Sequence, residues 1–313
     1  MIGGTAQVIQ SILESILIGS LYSVMALGLS LTMDVLKIPN LAHAEFITVG
    51  GYTLTFVTLI APISLVLALP FAFATSAVLG VVSYLFVFKP LEKMKVSTLM
   101  IMVASFGLGL IIRYILYIVT DVNNLSFVQP HTLNYFSLDF FNVRINDLYL
   151  ISLPIALILA ISLQQLLSRT RLGRSMRALS NNKSLAVVVG VNTERVTLLS
   201  WIIAAGFAGV GGAVWGDFVG VQPELGWSIL FTLFAAALIG NFKFYGTIVG
   251  AFILAFSENT VVGLLNSYAG LSLAFEPAVP LVVIFLVVLL RPQGIAGVNL
   301  KSLLKKPVET KKV

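Results

Sequence analysis

Residues 46–88 read FITVGGYTLTFVTLIAPISLVLALPFAFATSAVLGVVSYLFVF and contain no charged side chain. A helix that crosses the hydrocarbon core of a bilayer needs about 20 apolar residues. This stretch is therefore long enough for two spans joined by a tight turn, which we place at Ala61-Pro62. An uncharged run of such length is typical of a helical membrane protein and not of a soluble core.

The whole chain has the same character. It is 58% hydrophobic and 10% charged, whereas about 25% of the residues of a soluble domain are charged. The start, MIGGTAQVIQSILES, lacks the basic region and the cleavage site of a signal peptide, so it begins a retained span. With no cysteine, disulfides and thiolate metal sites are excluded. Further uncharged runs lie at 15–33, 98–112, 148–168, 196–216, 225–242, 244–257 and 277–290.

The basic residues mark one side of the membrane. Of the 19 lysines and arginines, 16 fall in residues 89–97, 168–197, Lys243 and the tail 291–313. Lysine and arginine stay on the cytoplasmic side because they resist translocation. These segments and the C-terminus are therefore predicted to be cytoplasmic. The net charge of +6 follows from this topology and does not indicate a nucleic-acid ligand.

The predicted fold is an all-α, polytopic transmembrane bundle of about 8–10 spans, with a discontinuous helix near residues 34–45. Residues 1–290 form the membrane domain, which includes the loop 168–197, and residues 291–313 form a basic tail. The count is eight if residues 34–45 break one element and nine if they connect two. The predicted spans are 8–33, 41–60, 62–88, 98–119, 147–167, 198–216, 225–242, 245–265 and 277–291.

Residues 168–197, which we call the basic loop, hold six basic residues and one acid, Glu194. A short helix is predicted between Arg174 and Ala186, with Gly190 fit to end it and Asn192 or Thr193 fit to cap the next. A loop of this length is longer than a helix–helix connection needs. It is interpreted either as an amphipathic segment that rests on anionic lipid or as a docking element for a cytoplasmic partner.

Glycines recur in the span after the basic loop, WIIAAGFAGVGGAVWG. No lysine follows a glycine in the chain, so a phosphate-binding loop is excluded here. Small residues let transmembrane helices approach closely. We therefore predict helix packing at Gly206, Gly209, Gly212 and Gly216.

Four ionisable residues fall where lipid or protein interior is expected: Glu14, Glu45, Arg113 and Glu258. Glu14 is near enough to the N-terminus to reach the interface. Arg113 and Glu258 are predicted to be buried charges with a structural role, and Glu258 is the first acid to consider as a partner for Arg113. No catalytic motif and no metal-binding set is present, so the chain is not predicted to be an enzyme.

These segments together resemble the permease subunit of ABC importers for branched-chain amino acids. The most specific parts are IPNLAHAEFITVGGY (38–52) and RTRLGRSMRALSNNKSLAVVVGVNTERV in the basic loop. GSLYSVMALGLSLTM, ALIGNFKFYGTIVGAFILAFSE and LLRPQGIAG resemble the family in the same order. Leu41 and Ala44 depart from its usual phenylalanine and glycine.

The resemblance implies a set of partners in the cell membrane. A second permease would complete the pathway, two cytoplasmic ATPases would bind the ATP, and an extracytoplasmic protein would deliver the substrate. This chain would hold no cofactor and no nucleic acid, and it would lie in the lipid bilayer. The basic-loop residues expected to couple to the ATPases are Gly173, Arg174, Arg177, Ala186, Gly190, Asn192 and Arg195.

The stretch KIPNLAHAEF, residues 37–46, is the candidate substrate path. Pro39 interrupts the helix because it lacks an N–H, and Asn40, His43 and Glu45 would face the path. Broken helices in transporters present their ends to polar parts of substrates. The alternative is a cytoplasmic turn capped by Asn40. For the whole chain, a permease for urea or short amides and an ion-coupled secondary transporter using Glu45 and Glu258 stay open.

Overall fold

The computed structural model describes residues 2–61, 63–129, 135–138 and 143–290, and these form a helical bundle. Six helical segments in this part of the chain are long and apolar enough to cross a membrane, and two shorter apolar helices accompany them. The predicted all-α polytopic class is confirmed. The elements are α1 (Ile2–Leu31) with a π-helical turn (Thr32–Leu36), α2 (His43–Ile60), α3 (Leu65–Ser83) with a π-helical turn (Tyr84–Phe88), α4 (Lys89–Lys93), α5 (Thr98–Val122), β1 (Tyr135–Leu138), β2 (Val143–Asn146), α6 (Leu148–Arg169), α7 (Arg171–Asn181), α8 (Lys183–Val188), α9 (Thr193–Val219), α10 (Leu225–Ile239), α11 (Phe244–Ala255) with a π-helical turn (Phe256–Val261), α12 (Val262–Ala269), a 3₁₀ turn (Leu273–Phe275) and α13 (Ala278–Leu290).

The helices follow the predicted spans closely, with two additions. The connection 120–147 contains a short antiparallel hairpin, in which Tyr135 of β1 lies opposite Asn146 of β2. The predicted helix of the basic loop is two helices, α7 and α8, because Asn182 leaves helical geometry and caps α8. Pro62 of the predicted turn and the tail 291–313 lie outside the described residues.

Helix α9 is the centre of the bundle, with α1, α2 and α3 packed around it. Gly209 faces Ser76 of α3, and Gly212 faces the backbone carbonyl of Ile47 in α2. A side chain in either place would collide with the neighbouring helix, since the backbones are in direct contact. An added Cβ would collide with a neighbour at all four glycines that the sequence singled out for packing: Gly206, Gly209, Gly212 and Gly216.

The outer helices present apolar side chains to the surroundings. The spans formed by α5 and α6 are mostly exposed, whereas those formed by α1 and α9 are mostly buried. On α5, Val103, Ile111 and Ile118 are all more than half exposed. A surface of this kind is stable in lipid and not in water, because lipid tails do not penalise exposed apolar groups.

Several basic segments meet at one end of the bundle, which we call the basic end. Lys243 pairs with Asp34 at the end of α1, at 2.6 Å. Ser180 of α7 donates a hydrogen bond to the backbone carbonyl of Asp34, at 2.7 Å. Lys183 of α8 pairs with Glu92 of α4 at 2.9 Å. The α1 terminus, α4, the basic loop and the α10–α11 turn are therefore neighbours, as expected if all lie on one side of a membrane.

Candidate functional site

The helical chain is broken between α1 and α2. The π-helical turn that follows α1 stops at Leu36, and Lys37 is left-handed, with φ of 59°. Residues 38–40 have no regular structure, and α2 begins at His43. Proline disfavours helical geometry in the residue before it and cannot donate a backbone hydrogen bond. The helix accordingly ends ahead of Pro39, and the predicted discontinuity near residues 34–45 is confirmed.

The broken segment turns back into the bundle. Asp34 lies at the basic end, but the Leu41 N–H donates a hydrogen bond to Ser105 Oγ at 3.0 Å. Ser105 is well inside α5, which begins at Thr98. At 1.5 Å per residue, the contact lies about 10 Å along α5 from its start. Helix α2 therefore begins within the bundle and not at its surface.

A buried ion pair lies in the first turn of α2. Arg113 of α5 donates hydrogen bonds to Glu45 Oε1 from Nε at 3.1 Å and from Nη2 at 2.5 Å. The guanidinium carbon also lies 4.4 Å from the ring centre of Trp227 in α10, a cation–π arrangement. Burying two charges costs several kcal/mol per ion, and well-packed apolar residues are often at least as stable. The pair is thus a candidate for function.

Glu45 and two polar residues that precede it in the chain, Asn40 and His43, keep unsatisfied side-chain atoms. Glu45 Oε2, His43 Nδ1 and both polar atoms of the Asn40 side chain are buried without a hydrogen-bond partner among the described residues. His43 Nε2 lies 3.0 Å from the Met25 carbonyl. A carbonyl only accepts, so Nε2 carries the proton and a neutral His43 has a free acceptor at Nδ1. Buried polar atoms without partners are rare and ask for an explanation.

The site is closed in this conformation. The side chains of Asn40, His43 and Glu45 are fully buried. Phe46 packs edge-on against the His43 ring, and Trp201 of α9 packs edge-on against Phe46. A polar ligand therefore reaches these atoms only if the helices around α2 move apart.

Glu258 is not the partner of Arg113, so that interpretation of the sequence is wrong. Tyr22 donates to Glu258 Oε2 at 3.1 Å, and Thr232 donates to Oε1 at 3.0 Å. Glu258 lies in the π-helical turn Phe256–Val261 and is buried, like Arg113. Both carboxylate oxygens of Glu258 are satisfied, and their hydrogen bonds join α1 to α10. We therefore assign Glu258 a structural role. Pairing across helices cannot be read from one sequence.

The basic loop folds onto the bundle through one face of α7. Gly173, Met176 and Leu179 are buried at spacings of three residues. The intervening arginines, Arg174 and Arg177, are exposed. Arg177 also donates to the Leu167 carbonyl in the last turn of α6. The loop is thus a fixed amphipathic element, with an apolar face packed on the bundle and exposed arginines on the other side.

The remaining coupling candidates lie in α8, in the turn after it and in the first turn of α9. Ala186 is buried, Gly190 adopts a positive φ of 81°, and Arg195 is exposed. Asn192 accepts a hydrogen bond from the Arg195 N–H at 3.0 Å and caps α9. The sequence predicts that Gly190 ends the loop helix and that Asn192 or Thr193 caps the next, and of these two it is Asn192 that caps α9.

Exposed apolar side chains form a ridge on α8 and at the start of the turn that follows it. Val188 is 81% exposed, and the other members are also more than half exposed. Exposed apolar side chains rimmed by charge mark binding surfaces. We define this surface as the α8 ridge; it consists of Leu185, Val187, Val188 and Val189.

Two ion pairs of opposite polarity join the basic loop to α4. Lys183 of α8 donates to Glu92 of α4, and Lys89 of α4 donates to Glu194 of α9. Both pairs are exposed and individually weak. Together they link the loop to the long α3–α4 element, which packs on α9.

Two members of the site, Trp227 and Ser105, are not predicted from the sequence. Trp227 is in an apolar run, and its place over Arg113 depends on how α10 packs. Ser105 is an ordinary serine of α5 that accepts the Leu41 N–H. A hydrophobicity pattern distinguishes neither from a lipid-facing or packing residue.

The chain is similar in sequence to known membrane permeases. The family model for the branched-chain amino acid transport system permease component matches residues 11–290. The probable branched-chain amino acid transport permease protein LivH of Methanocaldococcus jannaschii is 30% identical over 294 residues, 92% of each chain. The high-affinity branched-chain amino acid transport system permease protein LivH of Escherichia coli K12 is 23% identical over 308 residues, which are 92% of this chain and 95% of that protein.

A match of limited extent concerns another substrate class. The D-allose transport system permease protein AlsC of Escherichia coli K12 is 31% identical over 147 residues, which are 46% of this chain and 43% of that protein. No solved structure matches the chain significantly.

Proposed function

Because the chain belongs to the family of branched-chain amino acid transport permease components, we propose that it forms the membrane path of an ATP-driven importer for hydrophobic, branched-chain amino acids. It is a multi-pass membrane permease and not an enzyme. The observation that carries the proposal is the break before α2. There, the buried ion pair Glu45–Arg113 and the side chains of Asn40 and His43 lie inside an apolar bundle, and Glu45, Asn40 and His43 keep unsatisfied atoms.

The break suits the two charges of an amino acid. Glu45 Oε2 is available to an ammonium group, and the start of α2 favours a carboxylate because it is the positive end of the helix dipole. Arg113 offers further N–H donors to the same carboxylate. A substrate that enters between Glu45 and Arg113 replaces one ion pair with two, so the desolvated charges are never left alone. Asn40 and His43 supply further polar contacts along the same segment.

The basic loop is the proposed docking site of the ATPases. The α8 ridge supplies apolar contact, and Arg174, Arg177 and Arg195 supply a charged rim. Interfaces combine an apolar centre with a polar rim in this way. Because Lys183 and Glu194 pair with α4, movement of the docked loop is passed to the α3–α4 element.

The complex follows from the family. It would contain a second permease, two cytoplasmic ATPases that bind the ATP, and an extracytoplasmic substrate-binding protein. The basic end and the C-terminus face the cytoplasm in this arrangement, which the clustering of Lys243, Lys183 and Arg177 at one end supports. The chain itself carries no cofactor.

Copurification tests this assembly. The tagged chain is purified from its native membrane in mild detergent, as wild type, as Val188→Asp in the α8 ridge and as Val122→Asp. Val122 is a matched control, 76% exposed at the far end of α5. ATPase subunits should accompany wild type and Val122→Asp and be lost with Val188→Asp. If crosslinking before solubilisation captures no ATPase with the wild type, the importer proposal is overturned.

A further inference from the structure

A cavity of about 290 Å³ lies at the basic end, between α1, α6, α7 and the α10–α11 turn. Helices α6 and α11 both pack on α1, and the cavity occupies the space between them beneath α7. It is separate from the Glu45–Arg113 site, because none of Asn40, His43, Glu45 and Arg113 lines it.

The cavity carries its charged groups at the exposed end, and its buried lining is mostly leucine, with Ser30 and Gln164 as polar members. Asp34 and Arg177 lie at the mouth, at the end of the α1 segment and on α7. Leu27 lies two helical turns before Asp34 on α1, about 10 Å deeper along the axis. Leu163 and Leu167 of α6 form the apolar wall opposite. The lining is therefore arranged for a molecule with a polar head and an apolar tail.

The charge at the mouth favours an anion. Two cations, Arg177 and Lys243, line the cavity, and Asp34 is the single acid among the described lining residues. Asp34 is already engaged by Lys243 at 2.6 Å, and Lys37 lies 3.7 Å from the same oxygen. Arg177 donates one hydrogen bond to the Leu167 carbonyl. A guanidinium has five N–H donors, so others are left for an anion. Ser180 and Asn181 add neutral polar groups at the mouth.

We propose that this cavity is a site for an anionic phospholipid. The phosphodiester binds Arg177 and Lys243, and the start of one acyl chain lies against Leu27, Leu163 and Leu167. Basic pockets between transmembrane helices on the cytoplasmic side are suited to acidic lipid headgroups. The site does not depend on what the chain transports, so it stands or falls separately from the proposed function.

The surroundings favour a lipid over a soluble anion. On α6, Leu157 and Ile161 are exposed apolar residues beyond the cavity, and on α11 Tyr245 and Val249 are exposed as well. An acyl chain that leaves the cavity therefore meets an apolar surface on either helix. Free phosphate or glycerol phosphate would leave the leucine-lined base unused. A lipid held here would fasten α7 of the basic loop to the ends of α1 and α6.

Native mass spectrometry of the full chain in neutral detergent tests the site. Phosphatidylglycerol and phosphatidylcholine are added at equal concentrations to wild type, Arg177→Gln and Arg174→Gln. Arg174 is the matched control, since it is exposed on the same helix and does not line the cavity. Losing a charge-assisted hydrogen bond costs about tenfold in affinity or more. We expect Arg177→Gln to lose about that much phosphatidylglycerol binding and Arg174→Gln to stay within about twofold of wild type.

Two further arms keep the test decisive. Leu167→Trp narrows the cavity at its apolar wall without changing any charge, and it should also weaken phosphatidylglycerol binding. This variant replaces Arg177→Gln in the test if Arg177→Gln does not fold. Excess glycerol phosphate, which has the phosphate without the chains, should not displace the lipid. The proposal is overturned if both arginine variants lose binding equally, if the two lipids bind equally to wild type, or if glycerol phosphate displaces the lipid.

Discussion

Arg113 donates two hydrogen bonds to a single oxygen of Glu45 and leaves the other oxygen of that carboxylate buried without a partner in the described part of the chain. The ion pair therefore uses only one of the two carboxylate oxygens. A bidentate pair would have used both oxygens and would be the stronger structural contact. The asymmetry leaves an acceptor at the start of α2, where the chain turns back into the bundle.

The first prediction concerns this carboxylate. Glu45→Gln removes the negative charge and leaves Arg113 buried without a counter-ion, which costs about 3–5 kcal/mol. We expect uptake of labelled leucine to fall by about tenfold or more and thermal stability in detergent to fall with it. Uptake is measured in cells that lack the native gene and express the variant at matched levels.

A matched control and a double variant separate transport from stability. Glu14→Gln is the same change at a half-buried position outside the site, bonded to Gln10, and should leave uptake within about twofold. Glu45→Leu combined with Arg113→Met replaces the pair by apolar side chains, which often restores stability. The double variant should regain thermal stability and not uptake. Recovery of uptake would assign the pair a purely structural role.

The second prediction concerns the packing of α9. Gly212→Ala places a methyl group against the Ile47 carbonyl of α2, and such overpacking costs about 1–3 kcal/mol. Gly107→Ala in α5 is the matched control, because no atom lies within 4 Å of the added carbon. The melting temperature in detergent should drop for Gly212→Ala and not for Gly107→Ala. Equal melting temperatures would mean that α2 and α9 are not in backbone contact.

The third prediction concerns the link between the basic loop and α4. Glu92→Lys places a second cation beside Lys183, and Lys183→Glu places a second acid beside Glu92, so each change replaces an attraction with a repulsion. Each single change should reduce ATP-dependent uptake several-fold with little effect on folding, because surface pairs contribute little to stability. The double variant restores the pair in reverse and should regain most of the uptake. Failure of the swap to rescue would remove this contact from the coupling path.

The fourth prediction concerns the start of α9. Asn192→Ala removes the side-chain acceptor for the Arg195 N–H, and loss of such a cap costs about 1 kcal/mol. Hydrogen exchange should speed up in the first turn of α9 and in the turn around Gly190, with the rest of α9 unchanged. Ser184→Ala, an exposed change in α8, serves as the control. If hydrogen exchange in Asn192→Ala is the same as in the wild type throughout α9, packing alone holds this turn.

The sequence predicted the helices well because length and hydrophobicity decide them. The uncharged run 46–88 became α2 and α3, and the glycines of α9 lie at its contacts. Pro39 acts through its own backbone, so the break could be predicted from local chemistry. The cap at Asn192 is local for the same reason.

The pairings across helices could not be predicted. Glu45 and Arg113 are far apart in sequence, and the sequence favours Glu258 as the partner of Arg113, whereas the packing of the helices brings Glu45 to it. The position of the Trp227 ring over the Arg113 guanidinium depends on how α10 is rotated about its axis. The split of the loop helix at Asn182 was missed because a capping asparagine inside a polar stretch resembles any exposed residue.

The most direct measurement is initial uptake of labelled leucine and labelled urea in cells that lack the native gene and carry the wild type or Glu45→Gln. We predict leucine uptake by the wild type, insensitivity to collapse of ion gradients, loss on ATP depletion, and loss in Glu45→Gln. Urea uptake without leucine uptake would contradict the proposed substrate. Uptake that follows an ion gradient and survives ATP depletion would contradict the importer itself.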